Sequence, residues 1–250
     1  MSPLLHAVAF PPHPMRWTFP LGRIAGIAVH VHATFLLLLA WVAVISYGPR
    51  ASWRDAATGV AYIVVVFATV VLHELGHALM ARRYGIRTHD ITLLPIGGVA
   101  RLERMPDDPR AELAIALAGP AVNLALAAIC YAALRLTGAE LGGTMLSPGA
   151  GSWWSALLVL NVGLALFNLI PAFPMDGGRV LRALLALRMG RPRATRVAAR
   201  VGRAFAIVFA VYAVMRGQPF LLLIALFIWV GATGEAATME APREGDQARR

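Results

Sequence analysis

The chain has 250 residues, 58% of them hydrophobic and only 14% charged, where an ordinary soluble domain carries about a quarter charged residues. A mean hydropathy of +0.66, with apolar runs near the roughly 20 residues that cross a bilayer, excludes a soluble globular domain and predicts an all-α polytopic membrane protein. The net charge is +10, but every one of the 23 basic residues is an arginine and these flank the apolar runs, so topology accounts for them and no nucleic-acid partner is expected.

Residues 1–30 read as an N-terminal cytoplasmic or interfacial segment, whose start lacks the positive region of a signal peptide. Apolar stretches at about 31–47, 57–80, 111–134, 153–172, 200–215 and 219–234 predict six transmembrane helices within one membrane core, 31–234. A short polar cytoplasmic tail, 235–250, follows. Sorted by segment, nineteen arginines fall on one side of the membrane and four on the other. The positive-inside rule then puts both termini in the cytoplasm.

Two connectors are not simple loops. Residues 86–102, IRTHDITLLPIGGVARL, are rich in β-branched and apolar residues around Gly97-Gly98, which predicts a short membrane-associated β-hairpin. Residues 171–178, PAFPMDGG, break the fourth span with prolines and glycines. Irregular backbone at membrane depth lines a cavity or a site.

Chemistry concentrates in His73-Glu74-Leu75-Gly76-His77 of the second span. At helical pitch the two imidazoles project from one face and can share a metal, with Glu74 beside them to take a proton from water. Ionisable side chains inside a span cost about 2.5–3.5 kcal/mol each on insertion scales, which makes function the default reading. A catalytic zinc takes three protein ligands and keeps an open position. Asp176 is the candidate third ligand, in a segment whose prolines and glycines let the backbone turn, and at a depth comparable to the histidines. The competing reading makes Asp176 the cap of the helix that follows it.

These residues resemble the site-2 proteases, a family of intramembrane zinc metalloproteases. HELGH at 73–77, AGPAVNL at 118–124 and NLIPAFPMDGG at 168–178 carry the resemblance, which extends over about residues 16–234. It implies one Zn2+ per chain held by His73, His77 and Asp176, with Glu74 activating water. It also implies that Asn168, and less directly Asn123, hold substrate or stabilise an oxyanion; for both, plain interhelical hydrogen bonding is the alternative. The likeness is to the six-helix subgroup, whose tail often bears paired nucleotide-binding modules. About sixteen residues follow the last apolar stretch here, so those modules are not expected. The implied partners are the lipid bilayer and a membrane-protein substrate with a transmembrane helix, in a prokaryotic plasma membrane, and self-association stays open. The 86–102 hairpin could offer an edge to which an unwound substrate segment adds as a strand. The rival readings are a membrane metal carrier using the same ligands and an inactive protease-like binding protein. His30 and His32, alternating before the first span, suit a strand-like edge segment and receive no assigned role.

Overall fold

The structure is a computed structural model, and it describes residues 17–47, 52–138 and 153–240. The expectations for residues 1–16 and for most of the tail lie outside the described residues. The described chain falls into two units, residues 1–105 with 118–165, and residues 106–117 with 166–250.

The first unit begins with β1 (Thr18–Ile24) and β2 (Ile27–His32), followed by α1 (Ala33–Tyr47) and α2 (Trp53–Arg83). Next come β3 (Thr88–Leu94) and β4 (Gly97–Leu102). The predicted 86–102 hairpin is therefore present, but as half of a four-stranded sheet of order β1-β2-β3-β4. β1 pairs with β2 and β3 with β4 antiparallel, while β2 and β3 run parallel, with His30 opposite Thr92. A parallel pair needs a long crossover, and α1 with α2 supplies it. Between β3 and β4 the turn ends at Gly97, whose φ of +137° only glycine adopts without strain. On β2 the buried Ile27, Val29 and Val31 alternate with half-buried residues, the period-2 pattern of a strand packed on one face. Val29, Val31 and Leu93 pack with Phe35 of α1 and with Phe67 and Val71 of α2, the two phenyl rings meeting edge to face at 4.4 Å.

α2 has 31 residues, about 46 Å at 1.5 Å per residue. Its N-terminus is capped by Ser52, whose Oγ accepts from the Asp55 amide. The first unit also holds the later part of α3 (Pro109–Thr137) and most of α4 (Trp153–Asn168).

The second unit comprises the first turns of α3, the segment 166–175, α5 (Asp176–Met189), α6 (Arg191–Arg216) and α7 (Pro219–Glu240). Here the 170–175 segment is core. Ala172 and Met175 pack with Ala206 of α6 and Ile228 of α7, and Phe173 packs with Ala198 and Ala232. The backbone comes this close because Gly231 stands opposite Pro174: a Cβ there would lie 2.5 Å from the proline Cδ.

Among the described residues four helices, α2, α3, α6 and α7, are long and apolar enough to cross a membrane. α1 and α4 are shorter apolar helices of 15 and 16 residues, about 22–24 Å against a hydrocarbon core of about 30 Å. α4 ends at Asn168 rather than at 172, before Pro171, as helices do ahead of proline. α7 continues to Glu240, so the first residues of the expected polar tail are helical.

One arginine counted as a topology marker is not at a surface. Arg182 of α5 is 2% exposed. Its Nε donates to Glu112 Oε1 at 2.6 Å, its Nη2 pairs with the same carboxylate, and its Nη1 pairs with Glu235 of α7. The guanidinium also stands 5.1 Å from the centroid of the Phe173 ring. A guanidinium with two carboxylate partners is among the few charged groups that can be buried so deeply.

Candidate metal centre and active site

α2 presents His73 and His77 on one face, one turn apart. Both are buried, and Glu74 beside them is half-buried. Their Nε2 atoms lie 3.1 Å apart and the rings stand nearly perpendicular, at 81°. α3 comes close here because Gly76 has no side chain. A Cβ on Gly76 would be 2.8 Å from the Ala118 carbonyl oxygen and from Val122 Cγ2.

That approach brings Asn123, fully buried on α3, to His73: the Asn123 Oδ1 lies 2.5 Å from His73 Nδ1. The chain of hydrogen bonds continues to α4, and its far end fixes the near one. Asn161 Nδ2 donates at 2.9 Å to the Leu157 carbonyl, which can only accept. This orients the Asn161 amide so that its Oδ1 accepts from Asn123 Nδ2 at 2.9 Å. Asn123 must then turn its own oxygen to His73, and Nδ1 of His73 carries the proton. The consequence is a lone pair on His73 Nε2, the nitrogen that faces His77. A metal-binding imidazole is held in this way, by an acceptor on its other nitrogen.

Gly119 keeps the space beside these nitrogens clear. A Cβ at that position would fall 2.2 Å from His77 Nε2 and 2.6 Å from His73 Nε2. Gly98 of β4 lies against Glu74, where a Cβ would come within 2.6 Å of the glutamate Cγ. The edge strand therefore runs directly over the glutamate. Two convergent imidazole donors, one with its tautomer locked, next to a notch that a methyl group would fill, fit a zinc ion in donor chemistry and in space.

Elsewhere in the sheet, Asp90 of β3 is buried with Arg101 of β4, whose Nε donates to Asp90 Oδ1 at 2.7 Å. This partner pushes the Arg101 pKa up further. His30 Nδ1 lies 4.0 Å from the same carboxylate and makes no hydrogen bond. His32 bonds Thr34 at the start of α1 through Nδ1. Neither histidine belongs to the His73–His77 pair.

The remaining sequence-predicted residues belong to the second unit. Asp176 is buried and is the first residue of α5. The N-cap position is occupied by Met175, without a side-chain bond, so Asp176 is not the cap. A carboxylate in the first turn is favoured by the helix dipole. Just before it the chain folds through short turns: Ala172 N donates to Ile170 O at 2.7 Å and Met175 N to Ala172 O at 3.0 Å. Gly177 is obligatory, because a Cβ there would lie 2.2 Å from the Ile170 carbonyl oxygen. Asn168, half-buried, is the last residue of α4.

Asn123 makes the interhelical hydrogen bonds of the alternative reading: its oxygen lies against His73 Nδ1 and its amide donates to Asn161, which links α2 to α4. Sequence reasoning missed Asn161 altogether. The available signal was an amide in an otherwise apolar helix, where polar side chains bond across helices.

The model of peptidase family M50 matches residues 61–142 and 136–209. Together the two matches include most of α2 with its two histidines, α3, α4, α5 and most of α6. The chain is 34% identical over 226 residues to zinc metalloprotease MJ0392 of Methanocaldococcus jannaschii, covering 90% of this chain and 62% of that protein. It is 37% identical over 241 residues to the putative zinc metalloprotease Rip3 of Mycobacterium tuberculosis, covering 88% and 59%. Among solved structures, the site-2 protease from Methanocaldococcus jannaschii matches with a TM-score of 0.61 and 35% identity, over 88% of this chain and 95% of that one. The chain thus belongs to peptidase family M50, the family of the site-2 proteases. It spans about three fifths of the length of the two metalloproteases it matches.

Proposed function

We propose that the protein is a zinc-dependent intramembrane endopeptidase. It hydrolyses a peptide bond within or near a transmembrane segment of a membrane-protein substrate. The observation that carries this reading is the His73–His77 pair, its Nε2 atoms facing each other with the His73 tautomer set by Asn123 and Asn161. The names of the family relatives support it.

In this reading His73, His77 and Asp176 hold one zinc per chain, a donor set of two imidazoles and a carboxylate. Zinc, when bound, supplies Lewis acidity that acidifies water and polarises a carbonyl. Glu74 accepts the proton of the attacking water and returns it to the leaving amine. Asn168 donates a hydrogen bond to the developing oxyanion. Asn123 acts through His73 instead, by fixing its tautomer. Residues 1–30, the core 31–234 and the tail 235–250 remain the working domain division. Six crossings place both termini in the cytoplasm of a prokaryotic cell, with the short α1 and α4 matched by local thinning of the bilayer.

A helical substrate hides its carbonyls in its own hydrogen bonds and must unwind. β4 is the last strand of the sheet and passes over Glu74 through Gly98, so an unwound segment that pairs with its free edge is carried to the glutamate. The test is Glu74→Gln in the purified chain, with a transmembrane reporter as substrate. Hydrolysis stops while bound zinc is unchanged. A variant that still cleaves removes Glu74 from the chemistry, and a wild-type protein that binds zinc but never cleaves favours a metal carrier or an inactive binding protein.

A further inference from the structure

α6 and α7 form an antiparallel pair joined at Gly217, which adopts the left-handed conformation that ends α6. Near the start of α6 the pair leaves a groove of about 230 Å³, lined by Arg196, Arg200, Arg203, Thr233, Ala236 and Ala237. The three arginines succeed one another at helical spacing along about 10 Å of axis. Among the described residues no ion pair engages any of them, in contrast to Arg182 and Arg191 of the same unit, which face Glu112. Three cations thus share one concave face, and none of the residues lining it is acidic.

The surface beyond the groove, along the same two helices, selects the kind of anion. The stripe of Arg196, Arg200 and Arg203 continues on α6 into exposed Ile207 and Val211. Opposite it, the α7 face that bears Thr233 carries exposed Val230, Leu226 and Leu223. Both helices are apolar enough to lie in a membrane. One end of the groove therefore suits a phosphate and the other suits hydrocarbon, on one continuous surface. A soluble phosphate would use only the first of these.

We propose that this groove is a binding site for an anionic phospholipid. Its phosphodiester sits among Arg196, Arg200 and Arg203, and its acyl chains lie along Ile207, Val211, Val230 and Leu226. Guanidinium groups suit the role because they pair phosphate oxygens in a planar fork, and basic pockets between membrane helices are known to hold lipid headgroups.

The experiment uses the full chain in phosphatidylcholine nanodiscs doped with phosphatidylglycerol, with retained lipid counted by native mass spectrometry after transfer to detergent. The wild type retains phosphatidylglycerol in preference to phosphatidylcholine. Arg200→Gln loses about fivefold in retention, and the triple variant R196Q/R200Q/R203Q loses it altogether. Arg193→Gln, outside the groove, behaves as the wild type, and millimolar inorganic phosphate does not displace the lipid. Should the triple variant fail to fold, Arg200→Gln decides alone. Equal retention of the two lipids, unchanged retention in Arg200→Gln, or full displacement by inorganic phosphate would each overturn the proposal.

Discussion

Gly119→Ala separates the metal-centre account from ordinary helix energetics, because the two predict opposite signs. In a helix interior alanine is favoured over glycine by about 1 kcal/mol, so a helix position with free space around it would gain stability. At Gly119 the added methyl would lie 2.2 Å from His77 Nε2 and 2.6 Å from His73 Nε2. Carbon contacts settle at roughly 3.5 Å or more, so an imidazole must retreat by roughly 1.3 Å. Neither ring can do so freely, as His73 is held by Asn123 and both are buried. A displacement of about 1 Å at a reacting centre costs about 100-fold, or about 2.7 kcal/mol in transition-state binding. Zinc retention against a competing chelator, and kcat/KM on a transmembrane reporter, should therefore both fall by about that factor. Thermal stability of the metal-stripped protein should also fall, because a methyl forced against two buried rings overpacks the site at a cost of about 1–3 kcal/mol, the opposite sign to the helix-propensity gain. If Gly119→Ala keeps its zinc and its rate, the notch beside the histidines has no bearing on metal binding and the geometric argument fails.

The same contacts have other consequences. Asn161→Leu leaves the buried Asn123 amide without its acceptor, costing about 1–3 kcal/mol in stability. It also frees the His73 tautomer, weakening zinc about 10–100-fold; metal titration and calorimetry read the two effects separately. Arg182→Met leaves the buried Glu112 with only the longer Arg191 contact, at 4.0 Å, and should destabilise by up to about 3–5 kcal/mol, whereas the double variant R182M/E112L recovers most of the loss. A double-mutant cycle in thermal unfolding checks this, and additive losses would refute the pairing. Val99→Pro on β4 should lower cleavage while zinc content stays at the wild-type level; unchanged cleavage removes strand addition from the account.

The parts of this architecture that are readable in the sequence are those whose signal is local. Two histidines one turn apart in an apolar run are legible because helical pitch alone places them on one face. The 86–102 hairpin announces itself through β-branched residues around Gly97-Gly98. The β1–β2 hairpin and its parallel pairing with β3 do not, because His30 meets Thr92 only after α1 and α2 have crossed between them. Arg182 illustrates the same limit for charge. In sequence it is one of eight arginines in a basic connector, and its two carboxylate partners lie 70 and 53 residues away. Asn161 is hidden for a related reason, since its meaning depends on Asn123, 38 residues before it in the chain. Pairing over such separations is fixed by packing, which composition and periodicity do not encode.

The central claim is that His73, His77 and Asp176 jointly bind zinc, and the most direct measurement is zinc per polypeptide in detergent-purified protein. Wild type, His77→Ala and Asp176→Ala should be compared by elemental analysis after dialysis against a weak chelator. The account predicts about one zinc in the wild type, as three-ligand catalytic sites carry, and its loss or marked weakening in both variants. A folded wild type without zinc, or an Asp176→Ala protein that holds zinc as tightly as the wild type, would contradict it.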